Sequence, residues 1–255
     1  MSSRALAGLR IAVTRTSDQA SALVEQLERE GADVAAFPLI RIEPVLSAAE
    51  LANRLRQGCD WVVFTSANAV RMCALALEAQ HATPLDVLSQ ARIAVVGPAT
   101  AAAVRALGLE VAAMPDRFVG DEVVAAMQAT SDLARRQVLW PRAEGARDVI
   151  ENALRAAGAA LDAPVVYRSV PDGGNARRLA RKILQHDIDV VTFTSPSCVR
   201  SLADVLPEMR GVKVAAIGPV TAEAARAAGY PVDVVAAEHT ADGIVRAVVQ
   251  VLGAG

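Results

Sequence analysis

Small hydroxyl residues, glycines and arginines directly follow the short apolar runs of this chain. They are Thr14, Arg15, Thr65, Ser66, residues 97–100, Arg142, Thr194, Ser195 and residues 218–221. Hydroxyls and backbone N–H groups at a helix N-terminus bind negatively charged groups, because the helix dipole adds partial positive charge there. The pattern therefore predicts a site for an anionic ligand.

Each of these residues also has a simpler interpretation that the sequence leaves open. Serine and threonine at the start of a helix are ordinary caps, and the hydroxyls named above could serve only that purpose. Arg15 and Arg142 could pair with surface acids, although their repeated position favours a function. Tyr167 is one of two tyrosines and could simply pack, yet a phenol can also donate a proton.

Several familiar kinds of site are missing from the sequence. Gly97-Pro98 supplies one glycine and an imino acid without an N–H, which is not the G-x-G-x-x-G pattern of a dinucleotide site. The sequence has no Walker A lysine motif, no G-x-S-x-G elbow and no Cys/His cluster for zinc. His81, His186 and His239 lack the spacing of metal ligands. We therefore expect no metal, no cofactor and no covalent nucleophile.

The residues that could do chemistry recur in two halves of the chain at nearly constant spacing. The matched segments are residues 10–15 with 137–142, 60–66 with 189–195, and 96–100 with 217–221. Matches in one order with small changes of length are typical of an internal repeat. We infer duplication of a unit of about 125 residues.

Each half alternates short apolar runs with amphipathic stretches. In the first half, strands are predicted at Ile11–Thr14, Trp61–Phe64, Ile93–Val96 and Glu110–Ala113, with helices between them. Repeated strand–helix alternation predicts an α/β fold with doubly wound parallel sheets. In such sheets, ligands bind beyond the carboxyl ends of the strands, where the polar residues lie.

Two proline-bounded segments interrupt this alternation. Phe37–Pro44 and Pro164–Pro171 are predicted to be extended linkers that could pair with each other, because proline is tolerated in edge strands. The residues leave two architectures open. The halves could form tandem domains, or the chain could leave the first domain near residue 37 and return to it near residue 171.

Composition narrows the class of protein. Of 255 residues, 53% are hydrophobic, 21% are charged and 3% are aromatic, and the net charge is −2, so disorder and a general basic surface for nucleic acid are excluded. No apolar run approaches the roughly 18 residues of a membrane-spanning helix, and we expect no signal peptide. Cys59, Cys73 and Cys198 show no C-x-x-C spacing, which favours free thiols in the cytoplasm.

Taken together, the motifs resemble those of the uroporphyrinogen-III synthase family. The resemblance is carried by residues 13–15 with Gly31, residues 64–70, 96–100 and 141–147, Tyr167, and residues 193–197 and 216–221. It extends over nearly the whole chain, and its specificity comes from the order and spacing of the motifs.

The resemblance implies a fold and a reaction. It implies one discontinuous α/β domain at 1–37 plus 172–255, a second at 45–163, linker strands at 38–44 and 164–171, and a cleft between the domains. The implied reaction converts the linear tetrapyrrole hydroxymethylbilane to uroporphyrinogen III, with loss of water and inversion of ring D through a spiro intermediate. It belongs to tetrapyrrole biosynthesis and needs no cofactor.

The resemblance also implies roles for individual residues. Tyr167 matches the proton donor to the leaving hydroxyl. The substrate-binding positions are Ser66, Thr100, Ser195, Ser197 and Thr221, together with Arg15, Arg142 and Lys213, whose side chains could instead form surface ion pairs.

The implied partners are a small-molecule tetrapyrrole, no nucleic acid and no membrane. The protein is expected to be a cytoplasmic monomer that could contact hydroxymethylbilane synthase transiently. Two alternatives remain at this point. One is a non-catalytic, two-lobed protein that binds or senses a tetrapyrrole, and the other is a nucleotide-dependent transferase.

Overall fold

A computed structural model describes residues 4–117 and 120–253, with the side chains of residues 17–19, 120 and 121 outside that description. Up to residue 44 the elements are β1 (Arg10–Val13), α1 (Ser17–Arg29), β2 (Asp33–Ala36) and β3 (Ile40–Pro44). The middle of the chain forms α2 (Ala48–Arg56), β4 (Trp61–Phe64), α3 (Ala67–Glu78), α4 (Pro84–Leu88), β5 (Arg92–Val95), α5 (Pro98–Arg105), α6 (Gly120–Gln128), β6 (Gln137–Leu139), β7 (Arg142–Ala143), α7 (Val149–Ala156) and β8 (Ala160–Asp162). The remainder forms β9 (Val165–Pro171), α8 (Gly173–Leu184), β10 (Val190–Phe193), α9 (Pro196–Ala203), β11 (Lys213–Ala216), α10 (Pro219–Ala227), β12 (Val234–Val235) and α11 (Ala241–Leu252).

The chain divides into two compact units. Unit 1 comprises Met1–Arg41 and Val170–Gly255, and unit 2 comprises Ile42–Ser169. The sheet of unit 1 has the strand order β12-β11-β10-β1-β2, and that of unit 2 has the order β5-β4-β6-β8. By the sequence repeat, β6 corresponds to β1, β4 to β10 and β5 to β11. Each unit therefore combines the front part of one repeat with the back part of the other, and both arrive at the same strand order.

The sheet of unit 1 is parallel throughout. Val13 pairs with Thr192, and Phe193 pairs with Ala216, so β1, β10 and β11 end at the same edge. Residues of all three strands are almost entirely buried, which is usual where helices cover both faces of a parallel sheet. The register places the residues that follow these strands side by side.

The sheet of unit 2 is also parallel, and it has a separate apolar cluster on each face. Val62 and Phe64 face a cluster formed with α2, α3 and α5. Trp61 and Val63 face a second cluster formed with α6 and α7. Because successive side chains of a strand point to opposite faces, β4 contributes to both clusters and is buried on both sides. These observations establish an α/β fold with parallel sheets.

Local sequence signals explain where several helices begin. Ser47 and Glu50 form a reciprocal capping box at α2, in which each side chain accepts the backbone N–H of the other residue. Pro98, Pro196 and Pro219 are the first residues of α5, α9 and α10. Proline fits this position because its missing N–H would have no partner within the helix.

Strands β3 and β9 form a third sheet with β7, in the order β3-β9-β7. The boundaries of the two units fall inside these strands, between residues 41 and 42 and between residues 169 and 170. Within unit 2, the Val45 amide donates to the Val166 carbonyl at 3.1 Å. In unit 1, the Asp172 amide donates to the Leu39 carbonyl at 2.8 Å.

The prediction of a regular strand at Glu110–Ala113 is wrong in detail. The structure has an isolated parallel bridge between Ala94 and Ala113 there, supported by the Val95 amide donating to the Ala113 carbonyl at 2.9 Å. Pro115 follows two residues later and has no N–H with which to continue the pairing. The segment still occupies the place beside β5 that β12 occupies beside β11. In the described part of the chain, no helix combines the length and the apolar character needed to cross a membrane.

Candidate functional site

Tyr167 and Ser66 form a hydrogen-bonded pair in unit 2. The Tyr167 phenol and the Ser66 hydroxyl are 2.9 Å apart, and either oxygen can be the donor. Ser66 caps α3, and its Oγ accepts the Ala69 backbone N–H at 3.1 Å. A residue after β4 is thus brought to a residue 101 positions away in β9.

The backbone around Tyr167 is fixed by neighbouring strands. Tyr167 pairs with Ala143 of β7, and its carbonyl accepts the Glu144 amide at 2.8 Å. Its side chain is 6% exposed and packs in the apolar cluster that also contains Phe64 and Val166. A phenol with a buried ring and a single side-chain partner has a defined position, which a proton donor requires.

A second helix N-terminus of unit 2 lies at the same edge of the sheet. Phe64 pairs with Val95 in parallel register, so the helices that follow β4 and β5 begin at neighbouring positions. Thr100 is the third residue of α5 and is 6% exposed. This arrangement brings Ser66 and Thr100 to the carboxyl edge of the sheet, where backbone N–H groups of two helices are available to an anion.

Arg142 lies near the end of β6 in unit 2, at the start of β7. Its guanidinium is 5.5 Å from the centre of the Trp140 ring, a distance at which a cation and an aromatic face attract. Its Nη1 is 3.5 Å from Asp148 and 3.8 Å from Glu151. In the described structure its buried Nε has no hydrogen-bond partner, so the side chain keeps an unused donor.

In unit 1, the serine that corresponds to Ser66 faces a thiol instead of a phenol. Ser195 caps α9 by accepting the Cys198 backbone N–H at 3.3 Å, and its hydroxyl donates to the Cys198 Sγ at 3.3 Å. The thiol itself donates to the Thr14 carbonyl at 3.5 Å. Burial raises the pKa of Cys198, so the thiol is neutral at neutral pH.

Arg15 follows Thr14 at the same edge of unit 1. Burial lowers the pKa of its guanidinium. Arginine nevertheless stays protonated in proteins, so this residue is a partly desolvated cation at the end of β1. Such a cation favours an anionic neighbour, because its charge is less screened than at the surface.

Two further predicted residues of unit 1 lie at helix starts on this edge. Thr221 is the third residue of α10 and is 4% exposed, which repeats the position of Thr100 in α5. Ser197 is the second residue of α9, and its hydroxyl accepts a hydrogen bond from Arg200 at 3.1 Å. Unit 1 therefore gathers Arg15, Ser195, Ser197 and Thr221 around the ends of three strands.

Lys213 is not brought together with these residues. It is the first residue of β11, at the amino end of the strand, whereas Ser195 and Thr221 follow the carboxyl ends. Its ammonium group pairs with Asp233 at 2.7 Å. The ion-pair alternative for Lys213 is therefore the one that fits its position.

The sequence did not reveal several contacts of the site. The Ser66–Tyr167 hydrogen bond, the Ser195–Cys198 hydrogen bond and the stacking of Arg142 on Trp140 all depend on side-chain geometry. Only the Ser195–Cys198 spacing of three residues offered a local signal, because a cap commonly meets the third residue after it. Among the described residues, no group of three or more His, Cys, Asp and Glu side chains is placed to hold a metal ion.

Comparison with known proteins identifies the family to which the chain belongs. Residues 21–246 match the family model described as uroporphyrinogen-III synthase HemD. A uroporphyrinogen-III synthase of Synechococcus elongatus is 30% identical over 267 aligned residues that cover 98% of each chain.

Solved structures with a similar fold carry the same name. A uroporphyrinogen-III synthetase of Helicobacter pylori has a TM-score of 0.63 at 17% identity, over 95% of this chain and 99% of that one. A mutant uroporphyrinogen III synthase of Thermus thermophilus has a TM-score of 0.60 at 22% identity, over 96% and 99%. At these identities the structural likeness extends to the fold.

Proposed function

The chain belongs to the uroporphyrinogen-III synthase family, lyases of tetrapyrrole biosynthesis, and from this premise we propose how its residues perform the reaction. The substrate is the linear tetrapyrrole hydroxymethylbilane, and the product is the macrocycle uroporphyrinogen III. The reaction removes the terminal hydroxyl as water and joins the two ends of the chain with ring D inverted. The hydrogen bond between Tyr167 and Ser66 is the single observation that carries the proposed mechanism.

We propose that Tyr167 protonates the departing hydroxyl. The Ser66 oxygen already accepts the Ala69 N–H, which leaves the Ser66 proton to donate to the phenol oxygen. The Tyr167 proton is then available for the hydroxyl of the substrate, which departs as water. The C–O bonding pair leaves with it, and the pyrrole nitrogen supplies electrons to give an azafulvenium ion. Ser66 stabilises the phenolate that remains, because a hydroxyl donates well to an anion.

The steps after water leaves require positioning more than reactive groups. The azafulvenium carbon is attacked by the substituted carbon of ring D to give a spiro intermediate, which fragments and recloses at the other position. A proton lost from the ring carbon at closure can return to Tyr167, so the enzyme ends as it began. Holding the two ends of the substrate in one geometry can supply much of the rate enhancement, because the entropy of orienting them is lost when the substrate binds and not in the reaction step.

The acidic side chains of the substrate account for the remaining predicted residues. Hydroxymethylbilane carries eight carboxylates, and we assign them to the helix N-termini and arginines at the carboxyl edges. The assigned residues are Ser66, Thr100 and Arg142 in unit 2, and Arg15, Ser195, Ser197 and Thr221 in unit 1. Lys213 is left out of this set because its strand end faces the other way.

We further propose that one substrate molecule contacts the carboxyl edges of both units, with linkers at 38–44 and 164–171 that allow the units to close on it. The shared strand order of the two sheets supports this, because it gives each unit a matching polar edge. Small-angle scattering tests it. Saturating uroporphyrinogen III is expected to reduce the radius of gyration, and an unchanged profile would contradict closure.

The activity is tested by scoring the isomers that form from hydroxymethylbilane. The protein is expected to give the type III macrocycle, whereas spontaneous closure gives type I. Type I alone, at the rate seen without protein, would contradict the proposed function and favour a non-catalytic tetrapyrrole-binding protein. A nucleotide-dependent transferase would instead be stabilised by nucleotides in a thermal-shift screen.

We also propose that the protein acts as a monomer in the cytoplasm and meets hydroxymethylbilane synthase only transiently. Its three cysteines are free thiols, which suits a reducing compartment. Light scattering during size-exclusion chromatography is expected to give the mass of one chain. A stable complex after mixing with hydroxymethylbilane synthase would contradict the transient contact.

A further inference from the structure

A polar cavity lies at the amino edge of the unit 2 sheet, the edge opposite to that of Ser66. Its volume is about 310 Å³, at the small end of the range typical of ligand sites. The lining includes Cys59, Asp60, Trp61, Arg92, Ser131 and Arg136. All of these residues belong to unit 2, and none takes part in the proposed reaction.

In the described part of the chain, Arg92 is a cation without an acidic partner. It is the first residue of β5, and its guanidinium is 5.7 Å from the centre of the Trp61 ring. Its Nη1 donates to the Thr130 carbonyl at 3.3 Å. Within residues 4–117 and 120–253, no carboxylate forms an ion pair with it, so its remaining N–H groups are free to bind an anion.

In unit 1, the residue that corresponds to Arg92 has an acidic partner that unit 2 lacks. Lys213 begins β11 as Arg92 begins β5, and its ammonium group is neutralised by Asp233 at 2.7 Å. The repeat spacing that relates Lys213 to Arg92 relates Asp233 to Ala112, which has no charge. In unit 1 the cation is thus neutralised by an aspartate of the same unit, whereas in unit 2 an alanine stands at the position of that aspartate.

Ser131 adds a hydroxyl that lacks a partner. Its Oγ is buried and forms no hydrogen bond in the described structure. Its backbone is held in place, because the Ser131 amide donates to the Met127 carbonyl at 3.1 Å at the end of α6. A buried hydroxyl without a partner is costly, and an anion in the cavity would accept a hydrogen bond from it.

Both carboxylate oxygens of Asp60, the acid that lines the cavity, already accept hydrogen bonds. One oxygen of Asp60 accepts Arg136 Nη1 at 3.0 Å, and the other accepts the Gln137 amide at 2.8 Å. Burial raises the pKa of the Cys59 thiol to about 11, so it is neutral at neutral pH. The two arginines and one aspartate therefore leave the cavity with one net positive charge.

We propose that this cavity binds a small oxyanion, either inorganic phosphate or a short dicarboxylate. Arg92 and Arg136 would hold its oxygens, because a planar guanidinium matches phosphate and carboxylate geometry. The Ser131 hydroxyl would donate a further hydrogen bond. The site is independent of the reaction, since it lies at the opposite edge of the sheet.

Isothermal titration calorimetry of the whole protein at constant ionic strength tests this proposal. Inorganic phosphate, or succinate as the dicarboxylate probe, is expected to bind with a Kd of about 1 mM or tighter, whereas chloride gives no saturable heat. Arg92→Gln is expected to weaken binding about ten-fold and Ser131→Ala about three-fold. Lys213→Gln, which changes the matched residue of unit 1, is expected to leave the affinity unchanged.

Tryptophan fluorescence locates the bound anion. The chain has two tryptophans, and Trp140→Phe leaves Trp61 alone beneath Arg92. In the described structure the Trp140 Nε1 has no hydrogen-bond partner, so this change removes no hydrogen bond. Titration with the anion that binds in calorimetry is expected to shift the Trp61 emission, and the Kd from this titration is expected to equal the calorimetric Kd.

Three outcomes would overturn the proposal. The first is that neither phosphate nor succinate binds more tightly than chloride. The second is that Arg92→Gln binds the probe with the affinity of the wild type. The third is that Lys213→Gln weakens binding as much as Arg92→Gln does. The second outcome would assign the anion to another site such as the carboxyl edge. Phosphate alone or succinate alone binding at the Arg92 site would support the proposal and identify the anion.

Discussion

The two units use the same capped helix to hold different chemistry. In unit 2, Ser66 caps α3 and faces the phenol of Tyr167. In unit 1, Ser195 caps α9 and faces the thiol of Cys198. The repeat places Ile40 where unit 2 has Tyr167, and an isoleucine has no proton to give.

This difference separates binding from proton transfer. Both carboxyl edges carry helix N-termini and an arginine, which suit carboxylates. Only unit 2 adds an ionisable hydroxyl to its serine. The duplicated scaffold therefore has two similar polar edges, which we propose bind carboxylates, and the proposed proton donor lies in one of them.

The largest expected effect comes from removing the phenol of unit 2. Tyr167→Phe is expected to lower kcat by roughly ten- to a thousand-fold, because one general acid contributes on that scale. Tyr230→Phe is the matched control in unit 1, since Tyr230 is the other tyrosine and donates to the Leu206 carbonyl at 2.5 Å. Steady-state kinetics with isomer analysis measures both.

A clear result would break this part of the comparison. If Tyr167→Phe turns over like the wild type, or if Tyr230→Phe loses as much activity, the proton donor is not the phenol of unit 2. Circular dichroism of both variants establishes that they are folded.

Removing the two serine hydroxyls is expected to have a smaller and unequal effect. Ser66→Ala and Ser195→Ala each lose a helix cap, which costs about 0.5–2 kcal/mol of the free energy of unfolding. Only Ser66→Ala also loses the partner of Tyr167, so its kcat is expected to fall about three- to ten-fold. Ser195→Ala is expected to raise KM at nearly constant kcat.

Urea denaturation and steady-state kinetics measure these two quantities separately. Equal stability losses with unequal kcat would sharpen the contrast between the units. A kcat loss of the same size in both variants would show that the cap, and not the phenol, explains the effect of Ser66.

Acid stability is expected to differ between the two amino edges. Asp189 in unit 1 accepts two side-chain hydrogen bonds and one backbone hydrogen bond from Arg10, whereas Asp60 in unit 2 accepts one side-chain bond from Arg136 and the Gln137 amide. The Arg10 hydrogen bond lowers the pKa of Asp189 in the folded protein. Its stabilisation is therefore present above the unfolded-state pKa of about 3.9 and is lost as pH falls through the lower folded-state pKa.

Thermal unfolding at several pH values checks this. Asp189→Asn is expected to lower Tm at pH 7 more than Asp60→Asn does. The difference between wild type and Asp189→Asn should shrink as pH falls below about 4. A difference that stays constant from pH 7 to pH 3 would show that the Arg10 contact does not shift the pKa.

The smallest expected effect lies at alkaline pH. Burial raises the pKa of Tyr230 to about 12, and its side chain is 1% exposed. Between these two pKa values the Tyr230 phenol stays protonated in the folded state, whereas in the unfolded chain, with a pKa of about 10, it is ionised. The stabilisation is present below pH 10 and is lost as pH rises toward 12, so the unfolding free energy should decline less steeply in Tyr230→Phe. Parallel slopes for the two proteins would contradict this.

Much of the fold was accessible from the sequence because it depends on local pattern. The runs Trp61–Phe64 and Ile93–Val96 are short, apolar and rich in β-branched residues, and strands are found within one residue of both. The strand predicted at residues 110–113 is not a regular strand, because this edge segment ends at Pro115 and makes only one bridge. The shorter strands β7 and β8 carry too few residues for a periodic signal.

The candidate site was only partly accessible. Residues that follow strands could be named in advance, because parallel strands end at one edge of a sheet. Lys213 was named only through the family resemblance, and it does not follow a strand. It begins β11, so the direction of that strand places it at the amino edge, away from the residues that follow strands.

By itself, the sequence determined the repeat, the α/β alternation and the polar residues at strand ends, because each is written in types and spacings along the chain. The tertiary structure decided how the repeats are shared out between the two sheets and which side chains meet. It joined Ser66 to Tyr167, 101 positions away, whereas the equivalent Ser195 bonds to Cys198 within its own helix cap. The Ser66–Tyr167 contact depends on how buried strands pair to cover both faces of a sheet, and that pairing depends on residues far apart in the chain.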